Sequence, residues 1–474
     1  MTDHPLAHLP SVDEVLRHPA FAAAAAGLAD PFRTRLVRRV LQARRDALRD
    51  PVRASAPAPA RRNGERAAVV AACVAECAAE AEALARPFPR RVVNATGVLV
   101  HTNLGRAPLG DLLDAVDADA LGGYTDLEWD ARTQGRGDRD AALGRQLALL
   151  TGAEAALVVN NCASALLLAL NTLAAGREAL VSRSELVEIG GSFRVPDVVA
   201  ASGCRLREVG TTNRTRAADF REAAGPSAAV LLKVHQANFV QRGFVEQVSA
   251  DEMVALGAAF GLPVLEDTGS GLLAPSPAAA LRDEPDVASS VARGVDVVCC
   301  SADKLLGGVQ AGILVGRAAH VGAMRRNPLY RALRLDKVRM ALLHRCLARH
   351  LAGEADALPL WRLFHATVEQ LQARVAELRL PGPDTRWAAV RPVPLRATLG
   401  GGSNPEVDFP SWGLELAHRD LSAHGVRQAL AARAVPVVGY VRHDRCLLDV
   451  RAVLPHDLPE LQAALDDLGA AAGR

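Results

Sequence analysis

Three lysines are available for nucleophilic chemistry in this chain: Lys233, Lys304 and Lys337. All other Lys/Arg positions are arginines, whose guanidinium stays protonated, whereas a desolvated lysine amine can form a Schiff base. Lys304 has the most suggestive surroundings, because it follows the apolar run 295–300 and precedes the glycine pair Gly307-Gly308. Lys304 is therefore the first candidate for covalent chemistry.

An acidic partner for Lys304 is available at the end of another predicted strand. Asp267 closes the apolar run 263–266 and is followed by Thr-Gly-Ser-Gly. The carboxyl ends of parallel strands lie at one edge of a sheet, so we expect Asp267 and Lys304 to converge there. Pyridoxal phosphate (PLP) requires such a pair, since a lysine binds its aldehyde and an acid keeps its pyridine nitrogen protonated. We therefore predict PLP as the cofactor.

A phosphate site is predicted at residues 160–164, Asn-Asn-Cys-Ala-Ser, which join a predicted strand to a predicted helix. Backbone N–H groups and the helix dipole bind phosphate at such a junction. A polar turn with a serine N-cap is the alternative interpretation. The predicted cofactor-binding residues are, together, Lys304, Asp267, Cys162, Ala163, Ser164 and Ser301.

Three arginines are candidates for a second anion site: Arg106, Arg331 and Arg334. Arg331 and Arg334 are spaced i and i+3 in a predicted helix, so we expect them to share one helix face. Arginine forks suit tetrahedral oxyanions. Because the chain is rich in arginine, a solvated surface position for each of them is the alternative. With Lys304, the three form the predicted catalytic set.

Other motif matches are weak. Residues 269–274 fit a dinucleotide-binding glycine pattern, but Pro275 and Pro277 stop the helix that it requires. Residues 301–304 fit the S-x-x-K pattern of penicillin-binding enzymes without its partner motifs. The eight cysteines include no two paired clusters with zinc spacing, so we expect no metal site.

Strands that alternate with helices must position these side chains. Short strands, most of them apolar, are predicted at residues 155–159, 178–182, 205–209, 228–234, 263–266 and 295–300. This alternation predicts an α/β fold with a mostly parallel sheet covered on both faces. After residue 345 we expect long helices and then strands at 435–440 and 445–450, in a smaller C-terminal α/β domain.

The N-terminal segment is predicted to be helical and basic. Residues 31–66 contain eleven arginines and three acidic residues, a net charge of +8 in a chain whose overall charge is +2. Apolar residues at helical spacing in 33–49 leave most of the arginines off the buried face. A proline-alanine stretch at 54–60 is typical of a stiff linker. This asymmetry favours binding of a polyanion, with a solvated helix face as the alternative.

No targeting or membrane segment is expected. The first residues lack the basic segment of a secretory signal, and no apolar run is long enough to span a bilayer. We therefore expect a cytoplasmic protein without a membrane partner.

A series of motifs runs in order through nearly the whole chain. They are Leu9-Pro-Ser-Val-Asp-Glu-Val-Leu16, Asn94-Ala-Thr-Gly97, Thr102-Asn-Leu-Gly-Arg106, residues 182–191, Lys233-Val-His235, Asp303-Lys-Leu-Leu-Gly-Gly308, Gly400-Gly-Gly-Ser403 and Phe409-Pro-Ser-Trp412. In this set the chain closely resembles bacterial selenocysteine synthase, the L-seryl-tRNA(Sec) selenium transferase family. One departure is Asn160-Asn-Cys162, where the family often has three asparagines.

The resemblance implies a fold-type-I PLP-dependent transferase, similar to aspartate aminotransferase. It implies an N-terminal helical tRNA-binding domain with a linker at 1–88, a large PLP-binding domain at 89–345 and a small C-terminal domain at 346–474. It also implies that Lys304 holds the cofactor, that Asp267 faces the pyridine nitrogen, and that the arginines at 106, 331 and 334 receive selenophosphate. The implied assembly is a homodecamer with active sites at subunit interfaces.

The implied reaction converts L-seryl-tRNA(Sec) to L-selenocysteinyl-tRNA(Sec). Elimination of water gives an aminoacrylyl intermediate, which takes selenium from selenophosphate; selenophosphate synthetase is a further candidate partner. One alternative is a PLP-dependent lyase of a free amino acid or amino-sugar acid, and the basic N-terminal helices argue against it. The other is an RNA-binding protein without a cofactor, and the pair Lys304 and Asp267 argues against that.

Overall fold

The N-terminal part of the chain forms its own helical unit. The computed structural model describes residues 5–49, 65–190, 193–402 and 407–470, and the chain divides into the units Met1–Arg91 and Val92–Arg474. The α-helices described in the first unit are α1 (Val12–Leu16), α2 (Pro19–Ala24), α3 (Asp30–Arg49) and α4 (Glu65–Ala85).

Helix α3 buries one face and exposes its arginines on the other. Leu36, Val37, Val40 and Leu41 recur at helical spacing and join a core with residues of α1, α2 and α4. The predicted helix at 33–49 is thereby confirmed, with a start three residues earlier. The predicted linker at 54–60 lies outside the described residues.

The second unit is built on a central sheet and a smaller sheet. Its strands are β1 (Val93–Asn94), β2 (Trp129–Asp130), β3 (Gly135–Arg136), β4 (Ala155–Val159), β5 (Glu178–Ser182), β6 (Glu188–Gly190), β7 (Phe193–Arg194), β8 (Arg205–Val209), β9 (Ala228–Val234), β10 (Val264–Gly269), β11 (Val297–Ser301), β12 (Gly312–Gly316), β13 (Trp387–Thr398), β14 (Asp408–His418), β15 (Val437–Val438), β16 (Tyr440–Arg442) and β17 (Arg445–Asp449).

Helices connect and cover these strands. They are α5 (Ala118–Gly122), α6 (Ala141–Thr151), α7 (Cys162–Ala174), α8 (Val195–Ala201), α9 (Ala217–Ala223), α10 (Ala250–Phe260), α11 (Val287–Ala292), α12 (Ala318–Arg326), α13 (Pro328–Leu333), α14 (Lys337–Leu351), α15 (Pro359–His365), α16 (Val368–Ala376), α17 (Ala423–Ala431) and α18 (Leu458–Gly469). Among the residues described, none of the helices has the length and apolarity needed to cross a bilayer.

The central sheet has the order β4-β12-β11-β10-β9-β5-β8. The strands from β11 to β8 pair in parallel, while β12 runs antiparallel to both of its neighbours. The predicted mostly parallel sheet is confirmed, and the chain is a fold-type-I α/β protein. Strand β12 was missed, because a three-residue apolar run between two glycines gives little signal.

Each buried strand contributes side chains to two hydrophobic cores, one on each face of the sheet. In β4, Ala156 and Val158 pack into one hydrophobic cluster, whereas Leu157 and Val159 pack into the other together with α7. In β11, Cys300 belongs to the first cluster and Cys299 to the second. This alternation follows from the period of two in a strand, and it decides which side chains face α7.

The C-terminal region contains a second sheet with its own core. Its antiparallel order is β13-β14-β17-β16, and α16, α17 and α18 pack with it. The expectation of helices after residue 345 is correct for α15, α16 and α17, but it misses the long antiparallel strands β13 and β14 that lie between α16 and α17 in the chain. Pro392 and Pro394 obscured β13; they are tolerated because this strand lies at the sheet edge. The proposed division into domains at 89–345 and 346–474 remains a prediction.

Candidate active site

The turn that carries Lys304 is fixed to the neighbouring strand. Lys304 lies three residues beyond the end of β11, and its side chain is buried. The Leu305 N–H donates to the Ser270 carbonyl oxygen at 2.9 Å, and the Gly308 N–H donates to the Ala302 carbonyl oxygen at 2.9 Å. Because β10 and β11 are parallel, this turn opens at the edge where β10 ends, as predicted.

The contacts of the three lysines separate them clearly. The Lys233 amine donates to Glu185 Oε1 at 3.0 Å, and the Lys337 amine donates to the Gly123 carbonyl oxygen at 3.0 Å. The Lys304 amine has neither a hydrogen bond nor an ion pair with any residue that the structure describes, although only 6% of the residue is exposed. A buried amine without a partner is suited to covalent bonding and proton transfer.

Asp267 presents one carboxylate oxygen to the protein and leaves the other open. Its Oδ1 accepts a hydrogen bond from the Cys162 thiol at 3.3 Å and one from the Gly269 N–H at 3.0 Å. Within the described part of the chain, no donor reaches Oδ2. Burial raises the pKa of the Asp267 carboxyl, while the Cys162 hydrogen bond and the charge of Lys304 act to lower it.

Lys304 and Asp267 border the same small space. The point that a Cβ on Gly269 would occupy is 3.9 Å from Asp267 Oδ1 and 4.0 Å from the Lys304 amine. A nucleophilic amine and a carboxylate with an unused oxygen are the two groups that PLP needs at its aldehyde and its ring nitrogen. These residues therefore fit that cofactor, and the predicted pair is brought together.

A glycine-rich connection from the second sheet closes on Lys304. Residues 400–402 follow β13, and a Cβ on Gly402 would lie 2.2 Å from the Lys304 amine. A Cβ on Gly400 would lie 2.6 Å from the Val100 carbonyl oxygen. The sequence motif contained these glycines, but only the fold shows that Gly402 lies against the lysine.

The predicted phosphate loop lies between β4 and α7. The Ser164 N–H is already bonded to Asn161 Oδ1 at 2.8 Å, so that N–H group is not available to a phosphate. The N–H groups of Cys162 and Ala163 and the Ser164 hydroxyl remain as candidates. Ser301 ends β11 and is buried, three residues before Lys304.

Arg339 supports this loop and was not predicted. Its Nη2 donates to Asn160 Oδ1 at 2.8 Å, and its Nε pairs with Asp336 Oδ2 at 2.6 Å. The Asn160 N–H in turn donates to the Leu333 carbonyl oxygen at 3.0 Å, which ties the loop to the end of α13.

Arg106 lies beside the Lys304 turn. Its Nη1 donates to both carboxylate oxygens of Asp303, at 2.9 and 3.1 Å, and the Ala107 N–H donates to the Asp303 carbonyl oxygen at 3.1 Å. Arg106 itself has a φ of 65°, a left-handed backbone conformation that residues other than glycine rarely adopt. Such strain is typical of functional sites.

Arg331 and Arg334 do not share a helix face, which corrects our expectation. Helix α13 ends at Leu333, and Arg334 is extended with a ψ of 140°. Arg334 Nη1 contacts Glu128 Oε1 at 3.4 Å. Arg331 is exposed and contacts no polar partner among the described residues. The helix is shorter than its sequence pattern indicated, so Arg334 lies beyond its end.

Glu128 gathers three arginines and was also missed. Arg139 contacts its Oε1 at 2.8 Å, Arg136 contacts its Oε2 at 3.2 Å, and Arg334 lies within 3.4 Å. The hydrogen bond from Arg139 holds the pKa of the Glu128 carboxyl below its usual value. One carboxylate cannot neutralise three guanidinium groups, so this arginine cluster retains capacity for another anion.

The Lys-Val-His motif holds the end of β9. Glu185 accepts the Lys233 ammonium at 3.0 Å and the Val234 N–H at 2.9 Å. The backbone N–H of His235 donates to the Asp267 backbone carbonyl at 2.9 Å, and the His235 ring contributes to the electrostatic environment of the Asp267 carboxyl. Lys233 therefore anchors strand β9, which lies beside the strand that carries Asp267.

Comparisons with known proteins agree with this geometry. The family model for L-seryl-tRNA selenium transferase matches residues 92–454, and that for the selenocysteine synthase N terminus matches residues 6–45. The L-seryl-tRNA(Sec) selenium transferase of Geobacter sulfurreducens is 46% identical over 387 residues, covering 80% of this chain and 83% of the relative. That of Moorella thermoacetica is 47% identical over 380 residues, covering 79% and 81%.

A solved structure is similar in fold. The structure of D-glucosaminate-6-phosphate ammonia-lyase superposes with a TM-score of 0.57 at 20% identity, covering 80% of this chain and 96% of that one. At this identity the likeness supports the fold alone.

Proposed function

The chain belongs to the L-seryl-tRNA selenium transferase family, and from this membership we infer that it converts L-seryl-tRNA(Sec) to L-selenocysteinyl-tRNA(Sec). The observation that carries the chemistry is the buried Lys304 amine, which has no polar partner among the described residues and borders one space with Asp267. The cofactor is PLP, which when bound supplies a sink for the electrons left at Cα after a proton is removed.

Lys304 and Asp267 have complementary tasks toward that cofactor. Lys304 would hold the cofactor through its amine, and the same amine, when free, would take the proton from the seryl Cα as a general base. Asp267 would keep the ring nitrogen protonated through its open Oδ2. The seryl hydroxyl would then leave Cβ as water, taking the proton that Lys304 removed from Cα. Selenium would be added at Cβ as water cleaves the P–Se bond of selenophosphate and releases phosphate, and Lys304 would deliver a proton from that reaction to Cα.

We place the selenium donor at the arginines. Arg106 next to the Lys304 turn, and Arg334 and Arg331 at the end of α13, offer guanidinium groups for the phosphate of selenophosphate. An esterified seryl group has no free carboxylate, so such arginines need not hold one. Supply of selenophosphate directly by its synthetase belongs to the same proposal.

Helix α3 is the proposed tRNA contact. Arg39 and Arg44 pair with Glu80 and Glu76 of α4. Four further arginines of α3 form no ion pair with a described residue and remain available to phosphates: Arg35, Arg38, Arg45 and Arg49. Unlike α3, helix α4 is not basic, so the basic surface belongs to α3 rather than to both helices.

Homo-oligomerisation, with a homodecamer as the expected form, is a further part of the proposal. Leu113, Tyr124, Trp129 and Leu149 are large apolar side chains that are at least half exposed in the single chain. Trp129 follows Glu128 of the arginine cluster, so a subunit that covers Trp129 would reach the anion site. Light scattering should give about ten times the mass of the chain, and a monomer would contradict the proposal.

The proposed location is the cytoplasm, where aminoacyl-tRNA is available. All eight cysteines of the chain are free thiols, which agrees with a reducing compartment.

The function is tested by supplying the purified protein with L-seryl-tRNA(Sec) and radiolabelled selenophosphate. We expect selenium to appear on the tRNA as a selenocysteinyl ester, while uncharged tRNA(Sec) remains unlabelled. Turnover of free serine or of an amino-sugar acid, without any label on the tRNA, would instead identify a small-molecule lyase.

A further inference from the structure

Two thiols lie behind the carboxylate that serves the cofactor. In the parallel pairing of β10 with β11, Asp267 is the register partner of Cys299. Leu265 and Val297, two residues earlier in each strand, pack into the hydrophobic cluster that contains α7. Since alternate strand residues share a face, Asp267 and Cys299 also point to α7, whose first residue is Cys162.

The three side chains form one compact group. The Cys162 sulfur, the Cys299 sulfur and a carboxylate oxygen of Asp267 all lie within 4.8 Å of one another. The Cys162 thiol donates to Asp267 Oδ1 at 3.3 Å, on the side away from the open Oδ2. Cys162 is also the position at which this chain departs from the asparagine often found in the family it resembles.

We propose that Cys162 is a positioning residue, whose thiol hydrogen bond holds Asp267 so that Oδ2 faces the ring nitrogen of the cofactor. Cys299 lies behind it and keeps the thiol oriented toward the carboxylate. This inference rests on the PLP binding described under the proposed function.

The Cys162 thiol affects how strongly the Asp267 carboxylate binds a proton, and this effect can be measured. The groups that act on the carboxylate are the Lys304 amine, His235, the Gly269 N–H and Cys162, with Cys299 next to Cys162 and Cys300 on the opposite face of β11. If the Cys162 donor is removed, Gly269 supplies the remaining hydrogen bond to Oδ1 from the described residues. The carboxylate then binds a proton more strongly, and the proton shared with the ring nitrogen shifts toward Asp267.

The test compares donors and non-donors at position 162 in the holoenzyme. Cys162→Val and Cys162→Ala remove the donor, whereas Cys162→Ser and Cys162→Asn retain one. The visible absorbance of lysine-bound PLP changes when the nitrogen that joins the lysine to the cofactor loses its proton. If the ring nitrogen carries less positive charge, that proton is kept up to a higher pH. We expect the non-donors to move the pH midpoint of the visible cofactor absorbance upward by on the order of one unit and to weaken cofactor retention about tenfold.

Rescue by the donors separates positioning from packing. Cys162→Ser and Cys162→Asn should stay close to the wild-type midpoint, although asparagine is larger and more polar than valine. If the site only needed filling, valine would be tolerated and asparagine would not. The matched control is Cys204→Val, since the buried Cys204 thiol donates to the Leu170 carbonyl oxygen at 3.3 Å and should leave the cofactor spectrum unchanged.

The outcomes also distinguish this inference from the function itself. A wild-type protein that takes up no PLP would overturn the proposed function, and this inference with it. A yellow wild-type protein whose Cys162→Val variant keeps the same midpoint and the same cofactor affinity would overturn the positioning role alone. If Cys162→Val does not fold, the positioning role is overturned by an unshifted Cys162→Ala variant or by a Cys162→Asn variant shifted like the non-donors.

Discussion

At the scale of single residues, the site depends on which lysine lacks a partner. The ion pair of Lys233 stabilises its ammonium form, and the carbonyl contact of Lys337 holds that amine at the surface. Lys304 is buried beside a carboxylate without such a contact from the described residues. The scarcity of lysine leaves three candidates for a nucleophilic amine, and the hydrogen bonds of Lys233 and Lys337 leave Lys304 as the one without a partner among the described residues.

Replacing Lys304 by alanine should abolish covalent retention of PLP and lower the rate of selenocysteine formation by at least about a hundredfold, because both the covalent bond and the general base are lost. Borohydride reduction of the wild type followed by peptide mass spectrometry should place the label on the Lys304 peptide. Lys337→Arg is the matched control and should keep the label and the rate. Label on Lys233 or Lys337 in the wild type would exclude this assignment.

At the scale of elements, the active edge combines the central sheet with a connection from the second sheet. Strands β10 and β11 bring Asp267 and the Lys304 turn to one edge, and the segment after β13 brings Gly402 against the lysine. Gly402 has a φ of 90°, so a side chain there meets both backbone strain and the Lys304 stem. Shifts of the second sheet therefore act directly on the lysine.

Gly402→Ala should displace the Lys304 amine and reduce activity more than it reduces stability. The left-handed backbone costs about 1–2 kcal/mol with a Cβ, which thermal unfolding measures, whereas the displaced amine changes the cofactor absorbance and the rate. Gly353→Ala is the matched control, because Gly353 has a φ of 74° and open space around its Cβ position. Equal losses of activity in the two variants would show that strain alone is responsible.

At the scale of the whole molecule, the charge is concentrated in a unit that has its own core. The helices of the first unit, Met1–Arg91, bury apolar residues among themselves, so the basic face of α3 does not depend on the second unit for its formation. The second unit, Val92–Arg474, contains the residues assigned to the cofactor. Binding of tRNA and binding of cofactor are therefore expected to be separable.

Deleting residues 1–91 should leave the cofactor spectrum intact and weaken tRNA(Sec) binding at least about tenfold, because phosphate contacts dominate such affinities. Within the full chain, Arg38→Ala, Arg45→Ala and Arg49→Ala together should lower the slope of log affinity against log salt by about one unit per arginine. The pair Arg39→Ala and Arg44→Ala, whose guanidinium groups are neutralised by glutamates, is the control with a smaller effect. Unchanged affinity after the deletion would refute the assignment of tRNA binding to this unit.

The sequence by itself determined most strands of the central sheet and the edge at which Lys304 and Asp267 lie. Four of the predicted strands have the observed bounds: Ala155–Val159, Glu178–Ser182, Arg205–Val209 and Ala228–Val234. Three of them are largely apolar and buried, as is typical of strands covered on both faces, whereas Arg205–Val209 is the more polar strand at the sheet edge. From that pattern alone, the ends of two parallel strands had to meet at one edge. That is why Lys304 and Asp267 could be paired before any contact was known.

Only the tertiary structure decided the contacts that tune this pair. Cys162 and Asp267 are 105 residues apart, and Arg334 and Glu128 are 206 apart. Local patterns carry no information about such pairings, since they depend on strand register, on the face that each side chain takes and on where a helix stops. Packing between distant segments also decides three further features. These are the early end of α13, the formation of the edge strand β13 despite its prolines, and the approach of Gly402 to Lys304.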